Sequence, residues 1–198
     1  MKKTVGGWIL MALGCTARWR GFNLLDLVSW EKGRMSAYRE EDFRLLHEWG
    51  FNFVRLPTDY RWFADAAGLK AIDDALAFGR KYAIHVQLCS HRLPGYCSGG
   101  RLAGEKDLFT DEEPLRDACA LWRMFAARYR GVPNDALSFN LFNEPLYMEE
   151  AAYARVAQDA TGCGAGAHGR PVAAVAGNEL RLGALGAVRR LRRDGFGA

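Results

Sequence analysis

Short apolar segments alternate with longer amphipathic segments along this chain, a pattern typical of strands followed by helices. Because strand–helix–strand connections within one sheet are right-handed and give parallel strands, the alternation predicts an α/β fold. The predicted strands lie at residues 18–25, 51–57, 82–88, 137–144 and 171–176. The predicted helices lie at residues 38–49, about 69–76, 110–131 and 149–160.

Local signals mark where the helices begin and end. Gly50 follows the first helical segment and is a natural stop. Thr110 and Glu113 have the spacing of a capping box, in which two side chains bond the free N–H groups at the start of a helix. Pro114 suits the first turn of that helix, and Gly131 closes it. The apolar stripe of this helix is predicted to be core rather than a cofactor site.

The apolar segment at 137–144 ends abruptly at Asn143, Glu144 and Pro145. Its length and its content of Leu and Phe suit a buried strand. Pro145 has no N–H for a sheet ladder, so the strand must stop there, and Pro145 should hold Glu144 in an extended conformation. The pattern predicts a carboxylate beside an amide at the carboxyl end of a buried strand, where the catalytic groups of parallel barrels lie.

Polar residues also follow the second and third predicted strands. Arg55 lies in an apolar segment just before Pro57, and a buried arginine there needs a carboxylate partner, whereas a surface arginine is the alternative. A long glycine-rich loop at 89–104 contains His91, and long loops in compact domains are often functional. No glycine-rich phosphate or dinucleotide fingerprint follows any strand, so no cofactor is expected.

These motifs, in this order, resemble those of family 5 of the glycoside hydrolases, the cellulase family. The resemblance covers residues 18–179, and it implies a (β/α)8 TIM barrel that hydrolyses β-glycosidic bonds with retention, as an endoglucanase or β-glucosidase does. The segments that carry it are Arg20-Gly21-Phe22-Asn23-Leu24, Val54-Arg55-Leu56-Pro57, His91-Arg92-Leu93-Pro94-Gly95-Tyr96 and Phe142-Asn143-Glu144-Pro145.

The resemblance implies a role for each polar residue at the strand ends. Glu144 would be the acid/base, which protonates the leaving oxygen and later activates water, and Asn143 would bond the sugar 2-hydroxyl. Arg55 would keep the nucleophile ionised, because a nearby cation lowers the pKa of a carboxylate. His91 would line the sugar subsite. The substrate would be an oligosaccharide or polysaccharide.

The nucleophile itself is unknown. In the family it is a glutamate on the seventh strand, and a complete barrel typically needs about 250 residues, whereas this chain has 198. We therefore expect an incomplete barrel of about five strands, with little or no activity alone and with open edges that favour self-association. Glu179, after the fifth predicted strand, is the alternative nucleophile. A non-catalytic carbohydrate-binding half-barrel is the alternative function.

Five aromatic residues near strand ends are candidates for stacking on sugar rings, with packing as the alternative role of each. They are Trp30, Tyr60, Trp62, Tyr96 and Tyr147. Cys89, His91 and Cys97 match no closed zinc site and lack a fourth ligand, so no metal is expected. His85, inside the third strand, is predicted to be a core or interface histidine with satisfied ring nitrogens.

Composition shapes the expected domains and partners. Residues 18–180 should form the partial barrel, after a hairpin or signal segment at 1–17 and before a tail rich in Arg, Gly and Ala at 181–198. Most of the excess in the net charge of +4 lies in that tail, so nucleic-acid binding is not expected. The N-terminal apolar stretch is too short to span a bilayer. Five irregularly spaced cysteines favour a cytoplasmic protein, with secretion as the alternative.

Overall fold

The computed structural model describes residues 18–28, 37–146, 148–165 and 174–175. The predicted segment at 1–17, the tail at 181–198, Trp30, Tyr147 and Glu179 lie outside the described residues. The elements, in chain order, are β1 (Gly21–Asn23), α1 (Glu40–Glu48), β2 (Phe53–Asp59), a 3-10 helix (Tyr60–Ala64), α2 (Ala66–Tyr82), β3 (His85–Leu93), β4 (Tyr96–Cys97), α3 (Glu112–Arg128), β5 (Leu137–Asn140), α4 (Glu150–Ala165) and β6 (Ala174–Val175).

Among the described residues, five parallel strands form one sheet in the order β1-β2-β3-β5-β6. The spatial order follows the chain order, and one helix crosses between each pair of neighbours, as in a barrel rather than a doubly wound sheet. β4 differs, because it turns back and pairs antiparallel with the end of β3. The predicted α/β class of the barrel type, with about five strands, is confirmed.

The core lies between this sheet and the helices. Trp122 and Phe125 of α3 pack on Phe139 of β5, with ring centroids 5.6 and 6.4 Å apart. Complete burial of a side chain of this size stabilises the fold by about 1.5–3 kcal/mol. Other fully buried core residues include Phe43, Val54, Leu56, Ile72, Val86 and Leu88. The packed helices therefore hold the carboxyl ends of the strands in fixed positions.

Two local predictions are wrong by a few residues. Helix α3 begins after Asp111 rather than Thr110, and the Thr110 hydroxyl donates to the Asp111 carboxylate at 3.1 Å instead of capping the helix. Strand β3 continues to Leu93, so His91 lies on a strand and not in a loop. The strand can continue because a two-residue turn at Pro94 and Gly95 folds β4 back onto it.

Candidate active site

The four predicted polar residues meet at the carboxyl ends of the parallel strands. Arg55 comes from β2 and His91 from β3, whereas Asn143 and Glu144 come from the segment after β5. The backbone N–H of Asn143 donates to the Ser90 carbonyl at 3.0 Å, which attaches this segment to β3. The structure thus brings these residues together at one end of the sheet, while their catalytic roles stay predictions.

Arg55 connects the strands at the centre of the site. Its Nη2 donates to Asn143 Oδ1 at 2.6 Å, to Asn140 Oδ1 at 3.0 Å and to Cys89 Sγ at 2.8 Å. Its Nη1 donates to Asn23 Oδ1 at 3.3 Å. The expected carboxylate partner is not found among the described residues, because neutral amides and a thiol satisfy the guanidinium instead.

Cys89 and Asn140 both accept hydrogen bonds from Arg55, and the sequence reasoning missed both roles. The Cys89 thiol donates to Asn140 Oδ1 at 2.9 Å while it accepts from Arg55. Burial raises the pKa of Cys89 to about 12, so the thiol stays neutral at ordinary pH and is a poor nucleophile. A signal was present in the sequence, since Asn140 lies three positions before Asn143 in a strand that is rich in Leu and Phe.

The backbone of Glu144 has a left-handed conformation, with φ of +43°. This corrects the prediction of an extended residue before Pro145, and β5 itself ends earlier, at Asn140. A non-glycine residue in this region costs about 1–2 kcal/mol, which surrounding contacts must offset. Glu144 is exposed in this turn, whereas the preceding Asn143 is buried.

His91 is, with Glu144, a titratable side chain of the strand-end site. Burial lowers its pKa, and the Arg55 guanidinium lowers the pKa further, so the imidazole is neutral at pH 7. Nδ1 is buried and has no hydrogen-bond partner among the described residues. The ring as a whole is half-buried. A neutral imidazole in this position can accept a hydrogen bond from a ligand hydroxyl or donate one to it.

Besides Glu144, Asp59 is a carboxylate whose charge raises the pKa of His91 and so partly opposes the effect of burial. It is 1% exposed, and its two oxygens accept from Nε and Nη2 of Arg61 at 2.9 and 2.5 Å. Nε of Arg92 lies 3.6 Å from the same carboxylate. Because both oxygens already bind a guanidinium in a buried pair, Asp59 is a structural anchor and is not available to attack a sugar.

The described aromatic candidates differ in how much ring surface they expose. Trp62 is 7% exposed and packs in the core, and Tyr96 is also 7% exposed, so neither has a free face for a sugar. Tyr60, at the start of the 3-10 helix, is only half-buried and keeps ring surface available. Within the described part of the chain, Tyr60 is therefore the better stacking candidate.

His85 lies at the opposite end of β3 from the site. Its Nδ1 donates to the Asp135 carbonyl at 2.8 Å, so Nε2 accepts from the Ser138 hydroxyl at 2.7 Å. The ring stacks on Trp19 and lies parallel to the Phe53 ring, with centroids 4.0 and 5.7 Å away. The prediction of a core histidine with both nitrogens satisfied is confirmed.

Neither a cluster of metal ligands nor a membrane-spanning helix is found among the residues that the structure describes. No group of three or more His, Cys, Asp or Glu side chains is arranged there to hold a metal ion. No helix in these ranges has the length and apolar character needed to cross a membrane.

Comparisons with known proteins identify relatives of this chain. The sequence model of the family described as Cellulase (glycosyl hydrolase family 5) matches residues 10–163. Cellodextrinase A of Ruminococcus flavefaciens is 28% identical over 135 residues, which is 63% of this chain and 40% of the relative. Endoglucanase C of Acetivibrio thermocellus is 32% identical over 115 residues, which is 53% of this chain and 32% of the relative.

A crystal structure of a glycoside hydrolase superposes with a TM-score of 0.69 at 32% identity. The match covers 76% of this chain and 50% of that structure. This chain therefore spans about half the length of these relatives, or less.

Proposed function

Because the chain belongs to glycosyl hydrolase family 5, we propose that its strand-end site binds a β-glucan and performs the acid/base half of a retaining glycoside hydrolysis. The relatives named as a cellodextrinase and an endoglucanase favour cello-oligosaccharides as the ligand class. The observation that carries the proposal is the exposed Glu144 carboxylate next to Asn143, Arg55 and His91.

Each residue has a role that its surroundings support. Glu144 protonates the glycosidic oxygen as the bond to the anomeric carbon breaks, and then takes a proton from the attacking water. Asn143 donates from its amide nitrogen to the sugar 2-hydroxyl, because its oxygen already accepts from Arg55. His91 binds a second hydroxyl through its neutral ring, and Tyr60 offers a stacking surface.

The nucleophile is the part of the reaction that the described residues do not supply. Retaining enzymes need a second carboxylate about 5 Å from the acid/base. Asp59 is paired with Arg61, which excludes it from this role. We propose that the nucleophilic carboxylate lies beside Arg55 during the reaction. The Arg55 guanidinium would lower the pKa of that carboxylate and so keep it ionised.

An external anion tests this proposal in the chain as it exists. Azide is added with an aryl β-cellobioside, so that azide attacks the anomeric carbon while the aryl oxygen leaves with a proton from Glu144. We expect an α-cellobiosyl azide as the product. Glu144→Gln should lower the rate strongly for a poor leaving group and little for an activated dinitrophenyl group, because only the poor leaving group needs protonation.

Binding of cellotriose, measured by calorimetry, separates catalysis from recognition. Asn143→Ala and His91→Ala should each weaken binding, whereas Arg116→Ala, an exposed change on α3, should not. Binding without any azide product would favour the non-catalytic carbohydrate-binding half-barrel. If the chain showed no cellotriose binding and no azide product, the proposed function would be contradicted.

A further inference from the structure

A single hydroxyl group, that of Tyr96, binds the backbone on both sides of Pro145. The Tyr96 hydroxyl donates to the Glu144 carbonyl at 2.5 Å, and the Leu146 N–H donates to the Tyr96 oxygen at 3.2 Å. These two bonds bracket Pro145, which has no N–H of its own to contribute. One side chain therefore satisfies the carbonyl of the left-handed residue Glu144 and the N–H of Leu146, two positions later.

The Tyr96 ring is fixed by its own surroundings. It packs edge-on against Phe109 at 5.2 Å and against Phe142 at 6.3 Å. Gly95, directly before it, has φ of +73°, and a Cβ there would lie 2.6 Å from the Lys106 carbonyl oxygen. The Gly95 N–H donates to Glu105 Oε1 at 2.8 Å. The turn between β3 and β4 thus fixes the Tyr96 hydroxyl beside the Glu144 carbonyl.

We infer that Tyr96 is a positioning residue, which holds the Glu144 backbone in its left-handed conformation and so aims the acid/base carboxylate. This inference rests on the proposed function for its link to the sugar, but its conformational part stands on the backbone contacts alone. Tyr96 touches the main chain and not the reacting atoms, so it acts through Glu144. The role replaces the sugar-stacking role predicted from the sequence.

The chain contains a matched control for removal of this hydroxyl. Tyr153 on α4 is 6% exposed, and its ring also packs edge-on against Phe142, at 5.3 Å. Its hydroxyl is buried and has no hydrogen-bond partner among the described residues. Tyr96→Phe and Tyr153→Phe therefore remove the same atom from two rings on the same phenylalanine, and only the first removes contacts to the Glu144 segment.

The test is NMR spectroscopy of the labelled chain. In Tyr96→Phe we expect the Glu144 Cα resonance to shift and the Leu146 amide hydrogen to exchange about five- to tenfold faster, as for loss of one hydrogen bond. In Tyr153→Phe both should match the unsubstituted protein. If Tyr96→Phe does not fold, slow exchange at Leu146 in the unsubstituted protein supports the inference, and exchange at the rate of an open amide contradicts it.

Cellotriose affinity then connects the conformation to the site. Tyr96→Phe should bind cellotriose about three- to tenfold more weakly than Tyr153→Phe. If the Glu144 resonance shifts in Tyr96→Phe but the unsubstituted protein binds no cellotriose, the backbone role is supported and the proposed function is contradicted. Identical Glu144 and Leu146 spectra in the two variants would overturn the inference.

Discussion

Arg55 on β2 and Asn143 after β5 are joined by a hydrogen bond of 2.6 Å across the strand that lies between them. The bond fixes the amide of Asn143, because its oxygen faces the guanidinium and its Nδ2 donates to Ser98 at 3.2 Å. The same guanidinium nitrogen also binds Asn140 and Cys89. The geometry of the site thus depends on one cation that binds neutral acceptors on neighbouring strands.

Arg55→Lys should destabilise the fold, because an ammonium group cannot reproduce the fork that reaches four acceptors. We expect a loss of about 2 kcal/mol in the free energy of unfolding, as for hydrogen bonds to a charged group. Urea denaturation measures the loss. Arg44→Lys is the control, since Arg44 makes only exposed ion pairs on α1 and should change stability by less than about 0.5 kcal/mol. Equal losses in both variants would contradict the structural role of Arg55.

The stability of the fold should fall in mild acid, and His85 contributes to this fall alongside His91. Burial lowers the pKa of His85 below its ordinary value of 6.5, so the unfolded chain takes up a proton before the folded protein does. The contribution of neutral His85 to the free energy of unfolding is complete above pH 6.5. It is lost as the pH falls towards the pKa of His85 in the folded protein. Urea melts at pH 7.5 and pH 5.5 should show a smaller difference in His85→Gln than in the unsubstituted protein. An unchanged difference would show that other groups cause the pH dependence.

Gly95→Ala and Gly104→Ala separate backbone strain from steric clash. The two glycines have φ of +73° and +78°, so the backbone strain that an alanine introduces is similar at both positions. A Cβ at Gly95 meets backbone atoms at 2.6 and 2.7 Å, whereas nothing lies within 4 Å of a Cβ at Gly104. We expect a loss of about 1 kcal/mol at Gly104 and a clearly larger loss at Gly95. Similar thermal midpoints for the two variants would refute the clash.

The 198-residue chain is expected to hydrolyse aryl β-glucosides slowly or not at all without an added anion. The reason is that Asp59, which affects the pKa of His91 together with Glu144, is paired with Arg61 and is not available to attack the sugar. Release of the aryl group, followed by absorbance, checks this. Hydrolysis that disappears in Glu144→Gln and also in Glu179→Gln would contradict the prediction and establish Glu179 as the nucleophile.

The edge of the sheet at β1 should promote self-association. Phe22 and Leu25 are 53% and 59% exposed, and β1 pairs with β2 alone among the described strands. We expect a concentration-dependent increase in mass by light scattering. Phe22→Lys with Leu25→Lys should shift the protein towards monomer, whereas Trp49→Lys, an exposed aromatic after α1, should not. A monomer at every concentration would refute this prediction.

The sequence by itself determined the order of strands and helices. Apolar periodicity is a local property, and it located each of the five parallel strands to within a few residues. It also placed Arg55, His91, Asn143 and Glu144 near strand ends, because parallel strands bring their carboxyl ends to one edge of the sheet. The family resemblance rested on the same local motifs and is confirmed.

Only the tertiary structure decided what these residues touch. Local rules gave Glu144 an extended backbone before Pro145, but the hydroxyl of Tyr96, 48 residues away in the chain, binds the Glu144 carbonyl beside its left-handed turn. A buried arginine needed a carboxylate on general grounds, yet Arg55 is satisfied by amides and a thiol from strands that are distant in sequence. Contacts of this kind depend on how the strands are packed together, and no short segment of the sequence contains that information.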